Sequence, residues 1–476
     1  MNAALTSFAP ILVLSIGSLG YLLFGKLIER VRVAGLLAVL LVAATMWFTI
    51  GLADSTAAVS YGVVVNTATR FMAIVACAGA LLSITLSAGS LEKENLAMIN
   101  EYYYLLLTSL CGALVMVFAS DFLTLFIGIE VASLALYCLC GARISEKRSS
   151  EASMKYFLLG CFSSAFLLYG IALWYGATGS LALSPSGDGV RVLGSMTALS
   201  FLMLLVGVAF KIGLAPFHFW VPDVYQGAPT SVTTFMSCVV KVAAVAALLK
   251  VGAACFGFSE LWMVGPLWII SMLAMTVGNL AALQQRSVKR MLAYSSVAQA
   301  GYMLIGVVVA GKNPEALAAT LFYLVAYSGM TIGAFGVLSI ISPDADDVKD
   351  LKGLGKRSPF LGLVMTLIFL ALAGLPPGLA GMMGKVYLFS AAISAKFYGL
   401  AIVAALNSAL ACAYYFRVPM AIYFQEPEST TPVTVPLAAF VALSLCGVAV
   451  VLFGAMPEPL LGAVRAAAES LLVQAR

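Results

Sequence analysis

Four ionisable side chains lie within or beside strongly apolar stretches of the sequence. Glu130 stands in the middle of FLTLFIGIEVASLALYCLC, and Lys241 stands in the middle of SVTTFMSCVVKVAAVAALL. Lys211 and Lys385 each lie near a proline-containing break in an apolar run. A charge at the centre of a bilayer costs about 2.5–3.5 kcal/mol on insertion scales, so such residues need partners or a use. Proton transfer is a chemistry that they can perform, because burial favours a neutral lysine and a nearby carboxylate favours a charged one.

The two proline-containing breaks resemble each other. GLAP at 213–216 recurs as GLPP at 374–377, an offset of 161 residues. A proline inside a helix lacks an N–H and clashes with the carbonyl four residues earlier, and glycine lets the chain turn away. Backbone groups freed at membrane depth must be satisfied by protein or by water, so we expect a hydrated pocket at each break, beside Lys211 or Lys385. The predicted break residues are Gly213, Pro216, Gly374, Pro376, Pro377 and Gly378.

Three further polar residues are candidates for smaller roles. His218, the only histidine, follows Lys211 by seven residues and could pass a proton inward, or could simply pack against or cap the broken helix. Lys155 opens an apolar run, so we interpret it as a snorkelling anchor or as a residue that modulates proton transfer through the buried ionisable residues. Asp223 follows Pro222 and is expected to be a turn or cap residue. The nine cysteines have no metal-ligand spacing, so we predict no metal site.

Composition places these residues in a membrane protein. Of the 476 residues, 62% are hydrophobic and 10% are charged, compared with about a quarter charged in a soluble domain. A single soluble core could not bury this much apolar surface. We therefore predict an all-α polytopic membrane protein without a soluble domain. About fourteen apolar runs have the length of a membrane span, namely 7–25, 33–52, 71–90, 103–119, 121–141, 155–176, 197–221, 229–251, 262–283, 290–310, 316–341, 359–386, 397–421 and 433–454.

The distribution of lysine and arginine predicts the orientation. One set of alternate loops holds 16 of the 26 basic residues, and the other set, together with the termini, holds 7. Positive residues favour the cytoplasmic side, so both termini are predicted to be periplasmic.

Weak internal symmetry predicts a repeat. Besides the two breaks, EASMKYFLL at 151–159 is loosely echoed by EALAATLFYLV at 315–325. Five spans separate each pair, and an odd number of spans reverses the orientation, so we predict inverted repeats. The expected division is 1–102 (three helices), 103–255 and 256–425 (five-helix repeats, each with a broken helix) and 426–476 (a helix and a tail).

The motifs resemble those of the antiporter-like membrane subunits of respiratory complex I. The resemblance covers nearly the whole chain and is carried by Glu130, Lys211 and three segments: PFHFWVPDVYQGAPT at 216–230, SVKRMLAYSSVAQAGYML at 287–304 and GLPPGLAGMMGKVYLF at 374–389. Within that family, VPDVYQGAP and the lysine near the second break favour the bacterial subunit N branch. Two departures are Ser231, where a second proline is expected, and GMMGK, where a phenylalanine-containing sequence is more usual.

The resemblance implies roles for the candidate residues and for other chains. Glu130 and Lys211 would form a coupled pair, Lys241, alone or with His218, would form the connection, and Lys385 would lie near the outer exit. The resemblance further implies that NAD, flavin, iron–sulfur clusters and quinone are bound by other subunits and that none is bound by this chain. Its partners would be neighbouring antiporter-like and small membrane subunits and lipids, not nucleic acid, in the bacterial inner membrane.

The function that the resemblance implies is that of a proton-translocating subunit of an NADH-quinone oxidoreductase, which couples NADH oxidation and quinone reduction on other subunits to proton pumping. Two other functions remain open from the sequence. The chain could be a subunit of a multi-subunit sodium/proton antiporter, which shares the fold. It could also be a structural scaffold whose buried charges carry no protons.

Overall fold

A computed structural model of the chain describes residues 2–25, 31–94, 99–183, 194–256, 261–341, 346–427 and 431–475. Within these ranges the chain is almost entirely helical, which confirms the all-α prediction. Thirteen described helical segments are long and apolar enough to span a membrane. The predicted run 359–386 instead forms two shorter apolar helices, Pro359–Ala373 and Leu379–Ser394. Each predicted span therefore has a helical counterpart.

Twenty α-helices lie in the described residues. In chain order they are α1 (Asn2–Phe24), α2 (Val31–Ile50), α3 (Thr67–Glu94), α4 (Ile99–Phe118), α5 (Phe122–Cys140), α6 (Lys147–Thr178), α7 (Ser195–Ile212), α8 (Trp220–Gly227), α9 (Thr230–Phe235), α10 (Lys241–Phe256), α11 (Leu261–Leu283), α12 (Val288–Val309), α13 (Glu315–Ile341), α14 (Leu354–Arg357), α15 (Pro359–Ala373), α16 (Leu379–Ser394), α17 (Tyr398–Tyr415), α18 (Arg417–Phe424), α19 (Leu437–Ala455) and α20 (Glu458–Ala475). Short 3₁₀ turns lie at Val59–Tyr61 and Val348–Leu351.

Three spans form the centre of the molecule. In the most apolar stretches of Thr230–Ala253, Val288–Val309 and Glu315–Ile341, 100%, 94% and 83% of the residues are buried. The corresponding fraction in α1, α2, α6 and α19 is about a third, so these helices present most of their surface to the surroundings. A polar side chain on α10, α12 or α13 therefore meets other helices rather than lipid.

Helix α5 is held close to α4 and begins at a side-chain cap. The Asp121 carboxylate accepts a hydrogen bond from the Thr124 N–H at 2.8 Å, which satisfies one of the free donors of the first turn. A Cβ at Gly128 would lie 2.6 Å from the Met116 backbone nitrogen, so only glycine permits this approach. The cap and the contact with α4 together fix the rotation of α5, and therefore the side of the helix on which Glu130 lies.

Helices α7 and α15 end in the same way. Gly213 (φ 82°) and Gly374 (φ 88°) follow their last residues in the left-handed conformation. The next N–H groups, of Leu214 and Leu375, donate to carbonyls five residues earlier at 2.9 Å in both cases. This is a Schellman-type end, and the proline that follows prevents the helix from continuing. Both helices thus end inside the molecule. Non-helical segments at 213–219 and 374–378 separate them from the helices that follow.

A π-helical turn interrupts the eighth span. Met236–Val240 adopts π geometry between α9 and α10, directly before Lys241. Such turns widen a helix locally and are frequent at functional sites. Ser231, which stands where a second proline is expected, lies in α9 just before this turn. The proposed domain division and the inverted relation of the two five-helix units remain predictions.

Candidate functional site

Lys211 occupies a pocket between α5, α6 and α7. Its side chain is 5% exposed, and its ammonium donates to Ser133 Oγ at 2.6 Å and to the Tyr137 hydroxyl at 3.3 Å. The rings of Tyr137, Tyr156 and Phe210 lie with their centroids 5.5–5.6 Å from Nζ. Hydroxyl acceptors and ring faces can hold a cation without binding it as tightly as a carboxylate would.

Glu130 lies one helical turn before Ser133 on the same face of α5. Its carboxylate is partly exposed and accepts a short hydrogen bond from the Ser164 hydroxyl of α6. The Lys211 ammonium instead bonds Ser133 and Tyr137. The two charges of the expected pair therefore make no direct ion pair, since Glu130 bonds Ser164 and Lys211 bonds other hydroxyls.

An indole supports the last turn of α7 at the first break. Trp220 Nε1 donates to the Phe210 carbonyl at 2.9 Å, and the Trp220 ring stacks on Tyr156 with centroids 4.4 Å apart. His218 is 7% exposed, and its ring packs against Phe219 and faces Tyr294 with centroids 5.0 and 6.3 Å away. Within the described residues the geometry of His218 is that of a packed side chain beside the break.

Lys241 begins α10 immediately after the π turn. Its side chain is 3% exposed, and its ammonium donates to the Ser296 carbonyl at 2.8 Å and to Ser296 Oγ at 2.6 Å. A longer bond of 3.4 Å reaches the Tyr327 hydroxyl, whose ring centroid is 4.8 Å away. The lysine therefore joins α10, α12 and α13, the three central spans.

Lys385 satisfies the carbonyls that the second break frees. Its side chain is 3% exposed, and its ammonium donates to the Leu372 and Ala373 carbonyls at 2.9 Å each and to Ser408 Oγ at 3.0 Å. A protein group thus satisfies the two carbonyls at the second break, which is one of the two possibilities considered from the sequence. The Tyr302 ring centroid lies 5.1 Å away. Lys385 thus points into the helix bundle.

An ion-pair cluster joins α6, α8 and α12. The Asp223 carboxylate lies 2.7 Å from the Lys155 ammonium and 2.6 Å from the Arg290 guanidinium. Partial burial raises the pKa of Asp223, but the hydrogen bonds from Lys155 and Arg290 more than offset this and hold it below its usual value. The expected turn or cap role of Asp223 was therefore incomplete. Lys155 is here one member of a cluster that joins α6 and α8 to α12.

Several site residues escaped the sequence analysis. Lys250, near the end of the apolar run 229–251, is 3% exposed within α10 and donates to the Ala119 carbonyl at 2.6 Å. No sequence motif marks the side chains that surround these lysines. Some of them lie at helical spacing from a charged residue, which was a weak signal that they share its face. The hydroxyl partners are Ser133, Tyr137, Ser296, Tyr327 and Ser408, and the Gln299 amide shares the Leu372 carbonyl with Lys385.

The cysteines, acidic residues and histidine show no metal cluster in the described part of the chain. All eight described cysteines are free thiols. The arrangement is therefore one of isolated lysines, each held by neutral hydrogen-bond acceptors between helices.

Comparison with known proteins identifies related chains. A family model described as "NADH:quinone oxidoreductase/Mrp antiporter, TM" matches residues 119–411. NADH-quinone oxidoreductase subunit N 1 of Sorangium cellulosum is 44% identical over 420 residues, which cover 84% of this chain and 82% of that protein. Subunit N of Geobacter metallireducens is 38% identical over 464 residues, which cover 96% and 97% of the two chains.

Solved structures agree with the curated relatives. A chain of respiratory complex I from Thermus thermophilus superposes with a TM-score of 0.83 at 36% identity, covering 96% of this chain and 99% of that one. A chain of the archaeal membrane-bound sulfane sulfur reductase shares the fold, with a TM-score of 0.88 at 22% identity over 98% of both chains. The chain therefore belongs to the antiporter-like membrane-subunit family of NADH-quinone oxidoreductases and, within it, to the subunit N branch. This confirms the family assignment made from the sequence.

Proposed function

We propose that this chain is the subunit N of a bacterial NADH-quinone oxidoreductase and that it carries protons across the inner membrane through Glu130, Lys211, Lys241 and Lys385. The proposal rests on the surroundings of Lys211, Lys241 and Lys385. Each is at most 5% exposed, and each ammonium is bound by hydroxyls, with backbone carbonyls added at Lys241 and Lys385, rather than by a carboxylate. Such a lysine can exist charged or neutral with a modest difference in free energy, as a relay requires.

The order of the path follows the helices. Glu130 and Ser133 on α5 lead to Lys211 on α7, Lys241 lies on α10 between the two breaks, and Lys385 follows the second break on α16. Lys385 would lie toward the outer exit. His218 would lie beside the first break, where it could support the broken helix or pass a proton onward.

Other chains of the complex supply the redox chemistry. NADH oxidation and quinone reduction would take place on subunits that bind NAD, flavin, iron–sulfur clusters and quinone. This chain would supply the proton path, with the termini on the periplasmic side.

A neighbouring subunit would cover the Glu130 face. Ile127 and Leu134 on the same side of α5 are 49% and 53% exposed, and the Glu130 carboxylate is partly exposed between them. A carboxylate facing lipid is unfavourable, so a protein partner with a polar or basic group fits this face better than acyl chains do.

The test uses methionine, which keeps the length of lysine without a charge. Lys241→Met and Lys385→Met should each assemble into the complex and reduce NADH-driven proton uptake by inverted membrane vesicles at least tenfold, within the range typical of a lost acid–base group. The matched control is Lys312→Met, since Lys312 is exposed. Full proton uptake in both buried variants would refute the path. Loss of sodium tolerance at alkaline pH with intact NADH-driven uptake would instead favour the antiporter function.

A further inference from the structure

Gln299 lies between the second break and the surroundings of Lys241. It is 1% exposed on α12, one turn after Ser296. Its amide nitrogen donates to the Leu372 carbonyl at 3.2 Å and to the Tyr415 hydroxyl at 3.0 Å, and its amide oxygen accepts a short hydrogen bond from the Tyr323 hydroxyl. Both amide hydrogens and the oxygen are thus engaged.

The carbonyls of the second break each have two donors. The Leu372 carbonyl accepts from the Lys385 ammonium at 2.9 Å and from Gln299 at 3.2 Å. The Ala373 carbonyl accepts from the same ammonium at 2.9 Å and from Ser408 Oγ at 3.5 Å. In each case one donor is charged and the other is neutral.

This pairing changes what detachment of Lys385 would cost. If the ammonium were the sole donor, its departure would leave two buried carbonyls without partners, which is strongly unfavourable. With Gln299 and Ser408 in place, both carbonyls stay hydrogen-bonded. The neutral donors therefore lower the barrier for Lys385 to give up its proton or to swing away.

We propose that Gln299 is a positioning residue for proton transfer at Lys385, and that it holds the carbonyl of the second break while the ammonium detaches. The inference rests on the proposed function. An amide neither gains nor loses a proton near neutral pH, so Gln299 stays a donor in every protonation state of its neighbours.

The same helices orient Gln299 and Lys241. On α13, Tyr327 contacts Lys241 and Tyr323, four residues earlier, contacts Gln299. Residues four apart share one helix face, so a shift of α13 would move both contacts together. Gln299 is thus placed to respond to the state of Lys241.

The first experiment removes the amide donor. Gln299→Leu should assemble, yet lower NADH-driven proton uptake in proteoliposomes about fivefold or more, the lower bound set by an orphaned buried carbonyl. Gln299→His retains a ring N–H donor and should recover part of the rate. The control is Ser271→Ala, because Ser271 is buried and donates to the Gly301 carbonyl of the same helix α12 at 2.8 Å. This control should pump normally.

The second experiment separates positioning from simple packing. Lys385→Met and Gln299→Leu each leave the Leu372 carbonyl one donor, whereas the double variant leaves it neither. The thermal midpoint of the purified complex should therefore fall more in the double variant than the two single decreases add up to. Additive decreases, together with Gln299→Leu pumping like Ser271→Ala, would overturn the inference. If Lys385→Met itself pumps normally, the proposed path fails instead, so the two failures are distinguishable.

Discussion

Replacing Lys211 by methionine or by arginine should show whether this site needs a charge or a removable proton. Methionine fills the space of the lysine without a charge, whereas arginine keeps a positive charge that is not lost in proteins. We expect both variants to assemble and both to lose proton pumping.

The structure indicates why Lys211→Met should assemble. The substitution removes two hydrogen bonds, of 2.6 and 3.3 Å. The Ser133 hydroxyl keeps its bond to the Ile129 carbonyl, so only the Tyr137 hydroxyl is left unsatisfied, at about 1–3 kcal/mol. Removal of a desolvated ammonium offsets part of this, since apolar replacements of buried charges are often neutral or stabilising. The net change should stay within about 2 kcal/mol, too little to unfold a chain with this much buried surface.

The loss of rate should be much larger. A positioned acid–base group typically contributes about 10²–10⁴-fold, so NADH-driven proton uptake should fall at least tenfold in both variants even if part of the flux bypasses the site. The assay is dye-reported proton uptake in inverted vesicles at matched complex content, with Lys312→Met and Lys312→Arg as controls. Normal pumping by Lys211→Arg would refute deprotonation at this position, and normal pumping by Lys211→Met would refute any relay role.

Two other predictions concern the pair at α5 and the orientation. Glu130→Gln should lower turnover more than Glu130→Asp, because aspartate keeps the negative charge that favours the protonated Lys211; equal rates for Glu130→Gln and the unmodified protein would contradict the coupling. A cysteine at Lys349, which is exposed, should react with a membrane-impermeant maleimide only from the cytoplasmic side, and one at Tyr61, 70% exposed, only from outside. The opposite labelling would overturn the count of positive residues, and the unmodified chain measures labelling of its own cysteines.

Local sequence was enough to predict most of the fold. A span of about 20 apolar residues has few alternatives to a helix in a bilayer, because its backbone must satisfy itself. The breaks were also local, since proline and glycine act on their own turn, and the helices end at Ile212 and Ala373 beside Gly213 and Gly374. No local sequence feature predicted the π turn before Lys241, since it depends on how α9 and α10 pack.

The same local reasoning pointed to the buried lysines but not to their partners. A lysine in an apolar run is conspicuous because its charge is unfavourable there whatever surrounds it. The groups that satisfy the charge come from elsewhere in the chain: Ser133 is 78 residues from Lys211, and Ser296 is 55 residues from Lys241. A serine in a membrane helix is ordinary, so its importance appears only when packing brings it to an ammonium.

Lys250 and Gln299 show most plainly what could not be predicted from the sequence. By sequence Lys250 stands near the end of an apolar run, which predicts an outer loop, and only the packing of α10 at the centre of the molecule buries it against the Ala119 carbonyl. Gln299 is uncharged and is therefore not conspicuous in an apolar run. Its role depends on a carbonyl 73 residues away that a helix break leaves without a backbone donor. Sequence determined which groups cannot be left in lipid and where the helices must break. Tertiary structure decided which neutral groups meet them, because hydrogen-bond partners are chosen by the packing of helices distant in the chain.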